Sequence, residues 1–158
     1  MGQHAIEIIA IAERPELSPI VARWLWETFA FWKRNGHTVD GVRDVVSAAI
    51  SPSGPPQTFV LLVDHEPVGT ASLAANDLDS RPDLTPWLAG VFVDPAHRGH
   101  GYVAHLIAAV EAACTRAAIR RLWLYTRTAE HVYARAGWRT VEHFDREGRR
   151  YALMCRDL

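Results

Sequence analysis

Two hydrophobic periodicities alternate along the chain. Ala5 to Ala12, "TFVLLV", "PVGTASL", "WLAGVFV", "RLWLYT", "WRTVEHF" and "RYALMCRD" are short apolar or β-branched runs bounded by turn residues, and they predict strands. Between them apolar positions recur at steps of three and four. Val21, Trp24, Leu25, Thr28, Phe29 and Trp32 predict a helix capped by Ser18, with Pro19 at its first position and Asn35-Gly36 closing it. Val42, Val45, Val46 and Ala49 predict a second helix behind a Thr38 cap. A third starts near Gly101, with Val103, Leu106, Ile107, Val110 and Cys114 as its buried stripe. Ala129 to Ala136 reads as a short fourth, ended by Gly137.

Asp64 to Glu66 and "DREGR" read as hairpin turns, and "SPSGPP" as a loop. "WLAGVFV" is apolar at consecutive positions, as a strand covered on both faces must be. "ANDLDSRPDLTP" is polar and broken by proline. Loops of about a dozen residues tend to carry function in compact domains. The order β-α-α-β-β-β-α-β-α-β-β predicts an α/β domain with a mixed sheet and helices on its faces.

The length of 158 residues suits one domain over residues 1–158. With 49% apolar and 22% charged residues and a net charge of −1, bulk electrostatic binding to nucleic acid or an anionic membrane has no support. Neither a basic leader nor a membrane-length apolar run is present, so a cytoplasmic location is expected. Cys114 and Cys155 lack C-x-x-C spacing and read as buried hydrophobes in a reducing compartment. His97, His100 and His105 lack the spacing of a zinc site, so no metal is expected.

A strand, Arg98-Gly99-His100-Gly101 and a helix follow one another directly. The first amides of a helix have no intrahelical partner, the dipole is positive there, and glycines let a bulky anion approach. Arg98 can add a charge-assisted contact. A ligand-free strand-to-helix turn is written in the same letters, so the loop alone leaves both readings open. It is no Walker loop, lacking Lys-Ser/Thr, and no dinucleotide fingerprint, since Ala104 stands at the third glycine.

"VFVDPAHRGHGYVAHL" resembles the acyl-CoA-binding motif of the GNAT N-acetyltransferase superfamily, V-x-V-x-P followed by Arg/Gln-x-x-Gly-x-Gly/Ala. Arg98 and Gly101 match its first and fourth positions, while Val103 departs from the sixth. "YTRTAEHVYARAGWR" is similar to the family's Asn-x-x-Ala-x-x-x-Tyr-x-x-x-Gly-Phe. Ala129, Tyr133 and Gly137 match, with Trp138 for phenylalanine and Thr126 for asparagine.

The resemblance implies a mostly antiparallel central sheet of about seven strands, splayed between the fourth and fifth, with acetyl-CoA in the opening. Backbone groups of Val91, Phe92 and Val93 would hold the pantetheine and polarise the thioester. Arg98 and the amides of Gly99, His100, Gly101, Tyr102, Val103 and Ala104 would hold the pyrophosphate, with Thr126 and Tyr133 also at the cofactor. Tyr133 would be the general acid to the CoA thiolate. The implied activity is N-acetyl transfer to a primary amine of a small molecule or peptide by direct attack in a ternary complex. An alternative is a non-catalytic acyl-CoA-binding sensor or regulatory module of the same fold, reached if Val103 and the lack of a strand glutamate mark decay of the site.

Some members carry a strand glutamate where this chain has Trp87. Asp77, Asp79, Asp83 and Glu27 are therefore the candidate bases or acceptor contacts, and Trp26 and Trp87 the candidate pocket walls. C-terminal edge strands leave a homodimer open.

Overall fold

The apolar runs form seven strands in the computed structural model, which describes residues 3–158. They are β1 (Ile6–Ala10), β2 (Gln57–Val63), β3 (Glu66–Ala74), β4 (Trp87–Val93), β5 (Arg121–Thr126), β6 (Arg139–Arg146) and β7 (Arg149–Asp157). Five helices accompany them: α1 (Ser18–Thr28), α2 (Phe31–Arg34), α3 (Val39–Ala48), α4 (Tyr102–Arg116) and α5 (Glu130–Arg135). The single sheet runs β1-β2-β3-β4-β5-β7-β6. All neighbours are antiparallel except β4 and β5.

Sequence periodicity translates into two differently covered faces. On one, Leu106, Ile107, Val110 and Cys114 of α4 pack with Leu61, Leu88, Leu122, Leu124 and Met154, and Tyr133 of α5 joins the same core. On the other, Val21, Trp24 and Leu25 of α1 and Val42 and Val46 of α3 pack on Val60 and Leu62. Those helices cover only the β1–β4 half. Over β5–β7 that face is covered by the loop of residues 75–86, whose Leu78 packs with Trp87, Leu153, Tyr125 and Phe144. Cys114 and Cys155 are buried free thiols.

The first predicted helix is divided. Phe29 is extended (φ −109°, ψ 110°) and ends α1, and α2 begins two residues later. The break leaves Phe29 and Trp32 half-buried against the α1–α3 core rather than on one continuous stripe. Ser18 is not the cap: a 3-10 turn over Pro15–Leu17 runs straight into the helix, so Ser18 is its first residue and its hydroxyl is buried without a hydrogen bond. Thr38 does cap α3, accepting from the Gly41 amide at 3.0 Å, but Val45 faces solvent. Both hairpin turns use left-handed residues, Asp64-His65 and Glu147-Gly148.

Candidate functional site

The centre of the sheet is opened by a mismatch between its two parallel strands. β4 and β5 share one register pair, Trp87 with Trp123, next to a bond from the Trp123 amide to the Pro86 carbonyl at 3.1 Å. Beyond it the strands part. β4 is also bulged: its register against β3 shifts between Thr70 and Ser72, where Gly90 (φ +61°) and Val91 together oppose Ala71. A bulge bends its strand, and here it sets Gly90 against Leu25 of α1.

Strand alternation then decides which groups line the gap. The Asp94 amide donates to Val68 of β3 at 2.8 Å, so the Phe92 backbone also points to β3, whereas Val91 and Val93 turn theirs towards the gap. Of the three predicted backbone contacts, Phe92 is thus turned away, and its ring instead packs on Trp24 at 5.3 Å. The Val93 carbonyl accepts from Arg98 Nε at 2.9 Å. That bond fixes the glycine loop to the strand end and leaves the terminal guanidinium nitrogens for a ligand.

Gly99 (φ +86°) and Gly101 (φ +76°) carry the chain through two left-handed turns into α4, with open space beside both. The amides of Gly99, His100, Gly101, Tyr102 and Val103 meet no backbone acceptor among the described residues. Ala104 differs: its amide donates to the Gly101 carbonyl at 3.2 Å. Tyr102 is buried and stacked with His100 at 5.4 Å, so only its backbone faces the loop. The Val103 side chain, the departure from the motif, is half-buried against the α4 core.

At the far end of β5, the Thr126 hydroxyl accepts from the Ala129 amide at 3.1 Å and organises the entry to α5. Tyr133 projects from α5 into the core that also holds Val91 and Val103. Burial pushes its phenol up to about 12, which keeps it protonated.

The opposite side of the gap is assembled from distant side chains. Asp77 in the loop of residues 75–86 is desolvated, which pushes its carboxyl up to about 7, with Arg146 drawing it down and Asp79 adding to the rise. The Tyr125 phenol is pushed up to about 12 by burial and by Asp77. Its ring meets Trp87 edge-on at 6.2 Å, which brings Asp77 into the neighbourhood of the strand position lacking a glutamate. Leu78, Asp79, Ser80, Phe144, Asp145 and Arg146 line a cavity of about 220 Å³ alongside. Arg34 pairs with Glu147, and Arg81 with Glu142 at 2.8 Å, so α2 and the loop are both fastened to the β6–β7 hairpin.

Three predicted positions do not suit the roles expected of them. Trp87 has no exposed surface and donates from Nε1 to the Leu84 carbonyl at 2.8 Å, so it supports the pocket floor from within the core. Asp83 is held by Nε and Nη2 of Arg81 at 3.1 and 3.0 Å, which keeps its carboxyl below the usual range and leaves it a poor base. The Trp26 ring is covered by Lys33, whose Nζ lies 5.1 Å from its centroid. Glu27 is exposed on α1. Gly90, Tyr125, Arg146 and Arg156 were not foreseen. An isolated glycine in a strand is a recognisable bulge signal, but the other three carry no local one.

Comparison with known proteins places the chain by family and by fold. The acetyltransferase (GNAT) family model matches residues 18–138, and the chain belongs to that family. No protein with a curated function matches it in sequence. A GNAT-family acetyltransferase from Streptococcus pneumoniae is similar in fold at 16% identity and a TM-score of 0.68, over 98% of this chain and 99% of that one. yncA from Salmonella typhimurium, solved with its cofactor acetyl-CoA, is similar at 16% identity and 0.68, over 99% and 94%. Naa50 from Arabidopsis thaliana, in complex with the bisubstrate analogue CoA-Ac-MVNAL, is similar at 12% identity and 0.64, over 97% and 99%. Among the described residues no helix is long and apolar enough to cross a membrane.

Proposed function

We propose that the protein is an N-acetyltransferase that moves the acetyl group of acetyl-CoA to a primary amine of a small molecule or peptide. The observation that carries this reading is the continuity between the unpaired inner edge of β4 and the free amides from Gly99 to Val103. Together they offer a line of fixed dipoles long enough for a pantetheine and its diphosphate. The Ala104 amide, already bonded, drops out of that cradle. Dipoles locked in a strand need no reorganisation as charge develops on a thioester oxygen, which is the source of their catalytic value.

The reaction runs in one complex. An ammonium substrate, with a pKa of about 10, first gives a proton to a base. Asp77 suits that role because a base works best with a pKa near the working pH, and burial has raised its carboxyl to about 7. The neutral nitrogen attacks the thioester carbon and the carbon–sulfur bond breaks. The second proton shed by nitrogen as the amide forms balances the sulfur. Tyr133 steadies the departing thiolate: at about 12 its phenol is a weaker acid than a thiol, so its main contribution is a hydrogen bond to sulfur. Holding both reactants in line supplies several kcal/mol more.

The acceptor side favours a partly apolar amine, since Tyr125, Phe144 and Tyr151 stand beside Asp77 and Asp79. That a peptide-derived bisubstrate analogue occupies Naa50 supports peptide amines as one acceptor class. Thiol release from acetyl-CoA with a panel of amines tests the reading. Turnover is expected, and Tyr133→Phe is expected to lose about 10²-fold in kcat with acetyl-CoA affinity unchanged. Binding of acetyl-CoA without turnover on any amine would favour the regulatory module; no binding at all would remove both.

A further inference from the structure

α5 spans six residues, far too few to hold a helix in water, and its N-cap Ala129 supplies no side-chain bond. Thr126 accepts from the Ala129 amide at its entry, and Glu130 is bonded to Thr140 and His143 of β6; a further hold lies at the other end. The Trp138 amide donates to the Tyr133 carbonyl at 3.1 Å and the Gly137 amide to that of Ala134 at 3.1 Å. These are the paired bonds of a Schellman turn. The apolar contact that completes such a turn joins Tyr133 to Trp138, with ring centroids 6.1 Å apart. The left-handed position is Gly137, φ +95°.

Arg156 of β7 lies across this turn. Its Nη1 donates to the Ala136 carbonyl at 2.8 Å. A Cβ built on Gly137 would fall 1.7 Å from the same nitrogen, so a side chain there would displace the guanidinium, while the left-handed backbone itself favours glycine. Arg156 Nε lies 2.9 Å from Oε1 of Glu111 on α4. The pair is close but off the line of a hydrogen bond, and Trp138 Nε1 is buried beside the Glu111 carboxyl, which it helps to hold down. Burial raises the Glu111 carboxyl and Arg156 opposes the rise. Both side chains keep part of their surface in water, 31% and 20%, so removing one member costs less than at a fully buried pair. One guanidinium thereby joins three elements, and α4 is the helix whose first turn carries the glycine loop.

We propose that Arg156, held by Glu111, is a positioning residue that fixes the Tyr133 ring relative to the cofactor-binding end of α4. Its effect on catalysis rests on the role given to Tyr133 above; its grip on the ring does not. Arg156→Met and Arg156→Lys, each alone and combined with Tyr133→Phe, form the test. Arg156→Met is expected to lower kcat on the order of tenfold to 100-fold with little change in the acetyl-CoA KM. Arg156→Lys keeps a cation against the Ala136 carbonyl and is expected to recover part of that loss. Adding Arg156→Met to Tyr133→Phe should cost nothing further.

Phenolate absorbance against pH gives the second readout. Burial raises the Tyr133 phenol. Loosening α5 admits water, so a tyrosine titrating near about 10 should emerge in Arg156→Met and vanish on adding Tyr133→Phe. Thermal melts of every variant separate loss of fold from loss of positioning, and Arg156→Lys is the variant expected to stay folded. Where Tyr133→Phe is itself impaired, wild-type kcat in Arg156→Met or losses fully additive with Tyr133→Phe would overturn the proposal, and an unmoved phenol titration would overturn it in every case. Should Tyr133→Phe alone turn over normally, the catalytic reading of Tyr133 fails, and the titration still decides whether Arg156 holds the ring.

Discussion

The two sides of the gap between β4 and β5 are made of different materials. On the cofactor side the groups offered are almost all backbone: the inner edge of β4 and the amides running from Gly99 into α4. They need a bulge, two left-handed residues and a helix start, all within one continuous stretch. On the acceptor side the groups are side chains from four separate segments, with Arg34 meeting Glu147, Arg81 meeting Glu142, and Asp77 meeting Arg146 and Tyr125. A backbone site accepts one invariant chemical group, such as a diphosphate. A side-chain site can change its ligand by changing a few residues. The division suits an enzyme that keeps its donor and varies its acceptor.

The sharpest way to strain this comparison is Asp77→Asn. A carboxyl raised to about 7 keeps its proton in the fold long after the unfolded chain, at about 3.9, has lost it. Between those values the folded state binds more protons, so its stability falls as pH rises through that window. Asparagine removes this loss. Urea unfolding should find the variant equal to wild type near pH 4 and more stable above pH 7. The ceiling is about 4 kcal/mol, from 1.36 kcal/mol per pH unit, and Arg146 relaxation lowers it. A variant less stable than wild type at pH 8 would mean that attraction to Arg146 outweighs burial. If Asp77 is also the base, the same substitution abolishes the acid limb of kcat/KM.

A smaller effect tests the backbone side. Gly101 and Gly36 are near twins, at φ +76° and +77° with no atom within 4 Å of a built Cβ. Alanine at either site carries the same left-handed strain, about 1–2 kcal/mol. Only Gly101 lies in the proposed cradle. Matching losses of melting temperature are therefore expected, with acetyl-CoA affinity by calorimetry falling in Gly101→Ala alone. Equal affinity in both variants would detach the glycine loop from cofactor binding.

That contrast also explains what was legible beforehand. The strand set, the α4 stripe, Gly101 and the Gly137 stop could be read because each depends on residues within a few positions of itself. Helix α1 was read too long because the 3.6-residue pattern continues through Phe29, and nothing local records the extended residue that breaks it. Asp77 could not be told from Asp79 or Asp83 in the sequence. What separates them is tertiary: Asp83 meets Arg81 in its own loop, while Asp77 is half-buried near Tyr125 of β5 and Arg146 of β6. Trp87 looked available only because a strand residue gives no sign of which face will be sealed.

The smallest effect is expected at Glu147→Gln, and it reports on the acceptor side alone. Arg34 and Glu147 are both substantially exposed, so their pair contributes well under 1 kcal/mol to stability. Its place matters more than its strength. α2 belongs to the half of the second face covered by helices, while Glu147 sits at the tip of the β6–β7 hairpin, so the pair spans the approach to the gap. Releasing it should leave the melting temperature and the acetyl-CoA KM nearly unchanged. The amine KM should rise by no more than about fivefold, the factor that 1 kcal/mol allows, and raising salt should remove the difference between variant and wild type. An amine KM equal to wild type at low salt would mean that acceptors reach the gap from another side. A changed acetyl-CoA KM would mean that the two sides are coupled through the hairpin rather than built independently.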